Sequence, residues 1–95
     1  MGDLQETVGL MTSKDYKERF VAEYWQVKIR YEKLRAFNNK IEASRRTQYE
    51  CTKQVEMPTH DCPSDLLLQQ QSVMDDYLHL LEVRAVIEGI DLNKM

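Results

Sequence analysis

The sequence is poor in the residues that interrupt or cross-link a chain. Three Gly and two Pro in 95 residues leave long stretches with nothing to break a helix, which weighs against turn-rich β folds. Two cysteines, Cys51 and Cys62, are too few for a disulfide framework and read as free thiols. A secreted loop closed by a disulfide between them is the alternative. No stretch approaches the roughly 18 apolar residues of a membrane span, and the N-terminus lacks a signal-peptide core, so a cytoplasmic location is expected.

The ingredients of catalysis are scarce too. There is no Gly-rich phosphate loop, and no Ser or Cys stands in a nucleophile elbow. His60 and His79 fall on different elements, and Asp75 and Asp76 are helical neighbours that do not face each other. The set Cys51, His60, Cys62 and His79 has the spacing C-x8-H-x-C, which is neither a zinc ribbon nor a finger. These absences predict a protein with no enzymatic activity, no metal and no cofactor.

What is present is charge and helix-forming residues. Charged residues make up 31% of the chain and hydrophobic ones 42%, as expected of a folded all-α protein. The net charge of −3 gives no reason to expect binding to a long nucleic acid. The distribution is uneven, with ten basic and five acidic residues from Lys14 to Arg46, against three and nine from Thr47 onward. Such a split can draw the halves together, or leave a basic surface for a small anion.

Met1 to Met11 is weakly patterned. Leu4, Val8 and Met11 fit one face of a short helix, and a natural start at Met11 would make the leader a vector remnant or the product of an alternative start. Thr12 and Asp15 match a capping box, so a long helix is predicted from about residue 13 to about 45. Tyr16, Phe20, Tyr24, Val27, Tyr31, Leu34 and Ile41 share one face of it. Val21, Trp25, Ile29 and Ala36 share another. Residues 47–61 form a connection that Pro58 keeps from being helical, with Tyr49, Cys51, Val55 and Met57 hinting at extended structure. A second helix is expected over about 62–88, with Pro63 at its first position and Gly89 as its left-handed stop, followed by Ile90 and Leu92 folding back.

The expected architecture is all-α: an antiparallel two-helix hairpin, residues 13–92, preceded by a short N-terminal segment over 1–12. Two helices bury too little for comfortable stability. The apolar residues of the second helix also span half its circumference, more than one partner covers. A symmetric homo-oligomer, a dimer or a ring built from dimers, is therefore expected, with Val21, Trp25 and Ile29 at its interface.

Binding is the open question. Lys17, Lys28 and Arg35 line one flank of the first helix's main face, and Arg19, Arg30 and Lys33 the other, with Tyr16, Tyr24 and Tyr31 between them. Cationic groups hold phosphates and aromatic rings stack on bases. Equally, tyrosines at helical spacing are core residues, and flanking cations pair with neighbouring carboxylates or snorkel.

The segments YKERFVAEYWQVKIRYEKL, CPSDLL and MDDYLHLLEVRAVIEGIDL together resemble small helical-hairpin proteins encoded by bacteriophages, including crAss-like phages. More remotely, the hairpin is similar to the domain shared by anti-CBASS and anti-Thoeris sponge proteins, whose second-helix pattern is echoed at Leu80, Leu81, Arg84 and Ala85. The resemblance implies a homo-oligomer, up to a hexamer, in the host bacterial cytoplasm. It further implies that such an assembly sequesters cyclic nucleotide or cyclic ADP-ribose immune signals without degrading them. On that reading Tyr16 or Tyr24 stacks on a base, while Lys28, Arg30 or Arg35 and Arg84 neutralise phosphates between protomers. The alternatives are a protein–protein inhibitor of a host defence enzyme or CRISPR effector, and a structural coiled-coil component.

Overall fold

The computed structural model describes residues 4–48 and 53–93; Tyr49 and Cys51, read above as part of the connection, lie outside them. Three helices, and no strand, are found among the described residues: α1 (Leu4–Met11), α2 (Tyr16–Arg46) and α3 (Ser64–Glu88).

The start of α2 is set by Asp15 rather than by Thr12. Asp15 has extended backbone, and its carboxylate accepts a hydrogen bond from the Lys17 amide at 2.9 Å. The Ser13 hydroxyl in turn accepts from the Asp15 amide, at 3.1 Å. Thr12 is spent on the other side of the break, where its hydroxyl donates to the Gly9 carbonyl at the end of α1. A carboxylate at the residue before the helix satisfies the second free amide of the first turn directly, so the helix begins at Tyr16, three residues later than the capping-box reading places it.

At the other end of the molecule, Pro63 is the residue before α3 and not its first helical residue, and it supplies no side-chain cap. Gly89 closes α3 in the left-handed conformation, φ 69°, and the Ile90 amide donates to the Ala85 carbonyl at 2.8 Å. That geometry costs a glycine nothing, and it turns Ile90 back onto the bundle, where it is buried.

Polar contacts between α2 and α3 pair residue 16 with 84, 23 with 77, 38 with 67 and 71, and 45 with 64. As the number rises along α2 it falls along α3, so the two helices run antiparallel. Phe20, Tyr24, Leu78, Leu81 and Ala85 are buried between them, with Val27 and Tyr31 packed alongside. Farther along, Ile41 is buried, and Asn38 donates to the Leu67 carbonyl and to Gln71. Asn38 is thus a buried polar contact between the two helices whose Nδ2 has partners while its Oδ1 has none among the described residues.

The second apolar face of α2 has an occupant within the same chain. Val21 is 4% exposed and Ala22 0%; α1 packs on α2, and its Leu10 packs against the core cluster that holds Val21 and Ile90. Thr7 of α1 is fully buried, and its hydroxyl both donates to the Leu4 carbonyl at 2.6 Å and accepts from the Gln26 amide at 2.9 Å. The Trp25 indole N–H donates to the Leu92 carbonyl, which straps the C-terminal tail along the same side. Val21 and Trp25 therefore do not need a second subunit to cover them. The expected interface at these two residues counts two helices, whereas α1 is a third that packs on α2, and α1 does so with a face other than the Leu4, Val8 and Met11 one. The residues that turn inward are Thr7, Leu4 and Leu10, whereas Val8 and Met11 are exposed.

Candidate functional site

The charge difference between the two halves is not discharged by ion pairs across the helix interface. The three ion pairs among the described residues, Lys28–Glu32, Glu42–Arg46 and Arg84–Glu88, each lie within one helix at i,i+4 spacing. Exposed pairs of that kind contribute only a few tenths of a kcal/mol. The contacts that bridge α2 and α3 in the half nearest α1 are made by tyrosines instead.

Tyr24 is the most enclosed of them, 6% exposed, and its hydroxyl donates to the Glu82 carboxylate at 2.6 Å. Burial and then this carboxylate push its pKa well above that of a free phenol. Tyr77 mirrors the arrangement from the other helix. Its hydroxyl donates to Glu23, a bond that, with some burial, raises its pKa as well. The third contact differs in sign. The Tyr16 hydroxyl accepts from the Arg84 guanidinium at 2.6 Å, and Tyr16 remains 46% exposed.

Arg84 is held from three directions. Its guanidinium carbon lies 5.0 Å from the centre of the Phe20 ring, its Nε donates to Glu88 at 3.2 Å, and its Nη2 donates to Tyr16. A guanidinium set on an aromatic face in this way is oriented before any ligand arrives, and Nη1 keeps its donors free among the described residues. Tyr16, tilted 59° against Phe20 with ring centres 6.2 Å apart, offers an exposed ring beside that cation. A fixed planar cation next to an accessible aromatic ring is suited to a phosphate attached to a flat group.

The structure brings together Tyr16 and Arg84 and disperses the other residues proposed for ligand contact. Tyr24 is buried, so of the two tyrosines expected to stack on a base only Tyr16 presents an exposed ring. Lys28 lies 12 residues along α2 from Tyr16, Arg30 14 and Arg35 19, which are separations of about 18, 21 and 28 Å at 1.5 Å per residue. Arg30 and Arg35 are exposed and form no ion pair among the described residues. Lys28 sits in a cleft of about 480 Å³, but the cleft is shared with Asp75, Asp76 and Glu82, a lining that repels anions. Ile29 is half-buried. Phe20, Glu88, Glu23 and Glu82 were not anticipated as parts of these sites. Helical spacing shows that Phe20 is in the core, but nothing in it says that a cation from residue 84 will rest there.

His60 stacks edge-on to Phe37 with ring centres 6.0 Å apart, and its Nδ1 contacts the Cys62 carbonyl, so it braces the connection before α3. No group of three or more potential metal ligands occurs among the described residues. No described helix is long and apolar enough to cross a membrane.

A family model described as Sequestin matches residues 14–87. The chain belongs to the Sequestin family. No curated protein and no solved structure matches it. The matched segment runs through α2, the connection and nearly all of α3, and so includes Tyr16, Phe20 and Arg84. It stops short of α1 and of the Ile90–Leu92 return. The family name loosely denotes sequestration of a molecule.

Proposed function

We propose that this Sequestin-family chain is a phage counter-defence sponge. It binds a cyclic nucleotide-type immune signal in the host bacterial cytoplasm and holds it without chemical conversion. The observation that carries the reading is the Arg84 guanidinium, fixed over Phe20 and bonded to Tyr16, with its remaining donors facing out beside an exposed phenol ring. A phosphate takes the free edge of Arg84 while the attached base lies on Tyr16. Retention needs no nucleophile, acid or base, only desolvated contacts to charge and ring. Lys28, Arg30 and Arg35 are too far along α2 to reach the same small ligand, and they serve it only where another protomer presents them. A homo-oligomer of helical hairpins is part of the proposal for this reason.

Isothermal titration against a panel of cyclic di- and trinucleotides and cyclic ADP-ribose isomers tests the reading. At least one should bind, should be recovered intact after the protein is denatured, and should lose tenfold or more in affinity on Arg84→Ala. A panel that gives no heat overturns the sponge reading, and recovery of a cleaved ligand overturns the claim that it is held unchanged. The runner-up, inhibition of a host defence protein by direct contact, predicts a stoichiometric protein partner in pull-downs and no ligand.

A further inference from the structure

Outside the Tyr16–Arg84 contact, the patterned surface of the molecule is the outward side of α3. Leu66, Val73, Leu80 and Ile87 recur every seven residues and are 51, 60, 59 and 78% exposed. At 1.5 Å per residue they form a stripe about 31 Å long. It runs beside the seam of Leu78, Leu81 and Ala85 that α2 buries, and Tyr77 and Val83 widen it. Isolated exposed hydrophobics are ordinary on a soluble protein, but an aligned apolar row of period seven, on a helix whose other seam is already buried, is a surface that a second helix can cover. Neither α1 nor the C-terminal return covers it, since α1 packs on α2 and Ile90 and Leu92 pack at the core.

The pattern also says which neighbour. About Leu80 the positions are self-complementary: apolar Val73 and Ile87 stand seven positions before and after it, Tyr77 and Val83 three, and the oppositely charged Asp76 and Arg84 four. We infer that α3 packs antiparallel against α3 of a second copy of this chain, about a two-fold axis at Leu80. In that register Leu80 meets its own image, and Val73 lies level with Ile87 of the second copy. Asp76 lies level with Arg84 of the second copy but, about 80° apart around the helix, on the other flank of the stripe, so the two are opposite charges at one height that attract without taking up the Arg84 edge, while each Asp76 is about 12 Å along the axis from its image. Two other registers are disfavoured by the same residues. A parallel pair sets Asp76 against Asp76 and Arg84 against Arg84. An antiparallel pair that overlaps the whole stripe from Leu66 to Ile87 centres on residues 76 and 77 and again brings the Asp76 carboxylates together. Residues around Leu80 thus specify a self-complementary, isologous contact. This interface replaces Val21 and Trp25 as the place where copies meet, and it stands whether or not the ligand reading does.

The test uses the full chain with Cys51 and Cys62 changed to serine, so that no native thiol cross-links. Light scattering coupled to size exclusion should give a dimer, or an even-numbered assembly built from dimers, for the parent. Leu80→Glu should break the α3 contact and at least halve that mass, with helicity by circular dichroism unchanged. Leu80→Cys should form an inter-chain disulfide under mild oxidation, because the two copies of residue 80 touch at the axis. Val86→Cys, 83% exposed and away from the stripe, should not. A parent monomeric up to millimolar concentration overturns the inference, as does an oligomer whose mass Leu80→Glu leaves unchanged. Cross-linking at Val86 in preference to Leu80 overturns the register. Capture of a different protein by a monomeric chain assigns the face to that partner instead. Ligand titration of the Leu80→Glu monomer keeps the two readings apart, since loss of dimerisation and loss of binding are scored separately.

Discussion

Tyr24→Phe removes one hydroxyl from the centre of the α2–α3 interface, and the structure fixes what that should do. The ring is 6% exposed and the hydroxyl donates to Glu82 at 2.6 Å, while Glu82 itself is only half-buried. A hydrogen bond to a charged acceptor is worth about 1.5–3 kcal/mol, and water can reach Glu82 once the phenol is gone, so the lower end applies, about 1.5 kcal/mol. For a domain of this size that corresponds to a fall in Tm of roughly 6–12 °C. The pH dependence is the sharper signature. The folded-state pKa of Tyr24 is raised above the value of about 10 that an unfolded tyrosine has. The native state therefore keeps a proton that the unfolded state releases. The contribution of this group is fully present below about pH 10 and is lost as the pH rises above it, at up to about 1.4 kcal/mol per pH unit. Thermal unfolding followed by circular dichroism between pH 7 and 11 reads both effects. Tyr24→Phe should unfold earlier at pH 7 and then fall less steeply above pH 10 than the parent. A variant with the parent's Tm and the parent's alkaline slope would refute a buried phenol–carboxylate bond at this position.

Other substitutions address separate links of the argument. Gly89→Ala places a Cβ at φ 69°, which costs about 1–2 kcal/mol and should lower Tm by several degrees, whereas Gly9→Ala inside α1 should not destabilise. Leu81→Ala, at 1% exposure, should cost about 2–5 kcal/mol in urea unfolding, and Leu80→Ala, 59% exposed, should cost a monomer little. Tyr77→Phe should change stability by under about 1 kcal/mol, because the Tyr77–Glu23 bond is at the surface.

The parts of the fold that were legible in the sequence are those decided by single residues with one physical role. Gly89 could only be a left-handed stop, and the run from Tyr16 to Ile41 held nothing that breaks a helix. The boundaries slipped where two residues could do the same work. Thr12 and Asp15 are both good caps, and which one takes the free amides depends on where α1 ends. The candidate site was legible in composition but not in grouping. Tyr16, Tyr24, Lys28, Arg30 and Arg35, five cationic or aromatic residues, look equivalent along one helix, yet only Tyr16 meets Arg84, because only its height on α2 matches residue 84 on the antiparallel partner. The exchange of Tyr24, Tyr77 and Tyr16 contacts for cross-helix ion pairs was not legible at all, since it depends on register to within one residue.

The second face of α2 shows where counting apolar residues goes astray, and it yields a decisive experiment. Val21, Trp25 and Ile29 read as an interface between copies because two helices alone bury too little apolar surface. What α1 brings is closeness: Ala22 and Thr7 are both fully enclosed, so the backbones approach and small contacts suffice. Gln26 then satisfies the Thr7 hydroxyl, and Leu92 satisfies the Trp25 indole. Two consequences follow from that geometry. Ala22→Leu overpacks the α1 contact and should cost about 1–3 kcal/mol. Trp25→Glu puts a carboxylate against the tail and the core, losing the indole bond and the packing together, so it should destabilise the monomer by roughly 3 kcal/mol or more. An interface residue behaves otherwise: its substitution by Glu dissociates copies while each chain keeps its Tm. Comparing Trp25→Glu with Leu80→Glu in parallel melts and light scattering therefore assigns each face. If Trp25→Glu halves the mass without lowering the unfolding temperature of the monomer, and Leu80→Glu does neither, α1 does not cover α2 in solution and the contact between copies belongs to Trp25 after all.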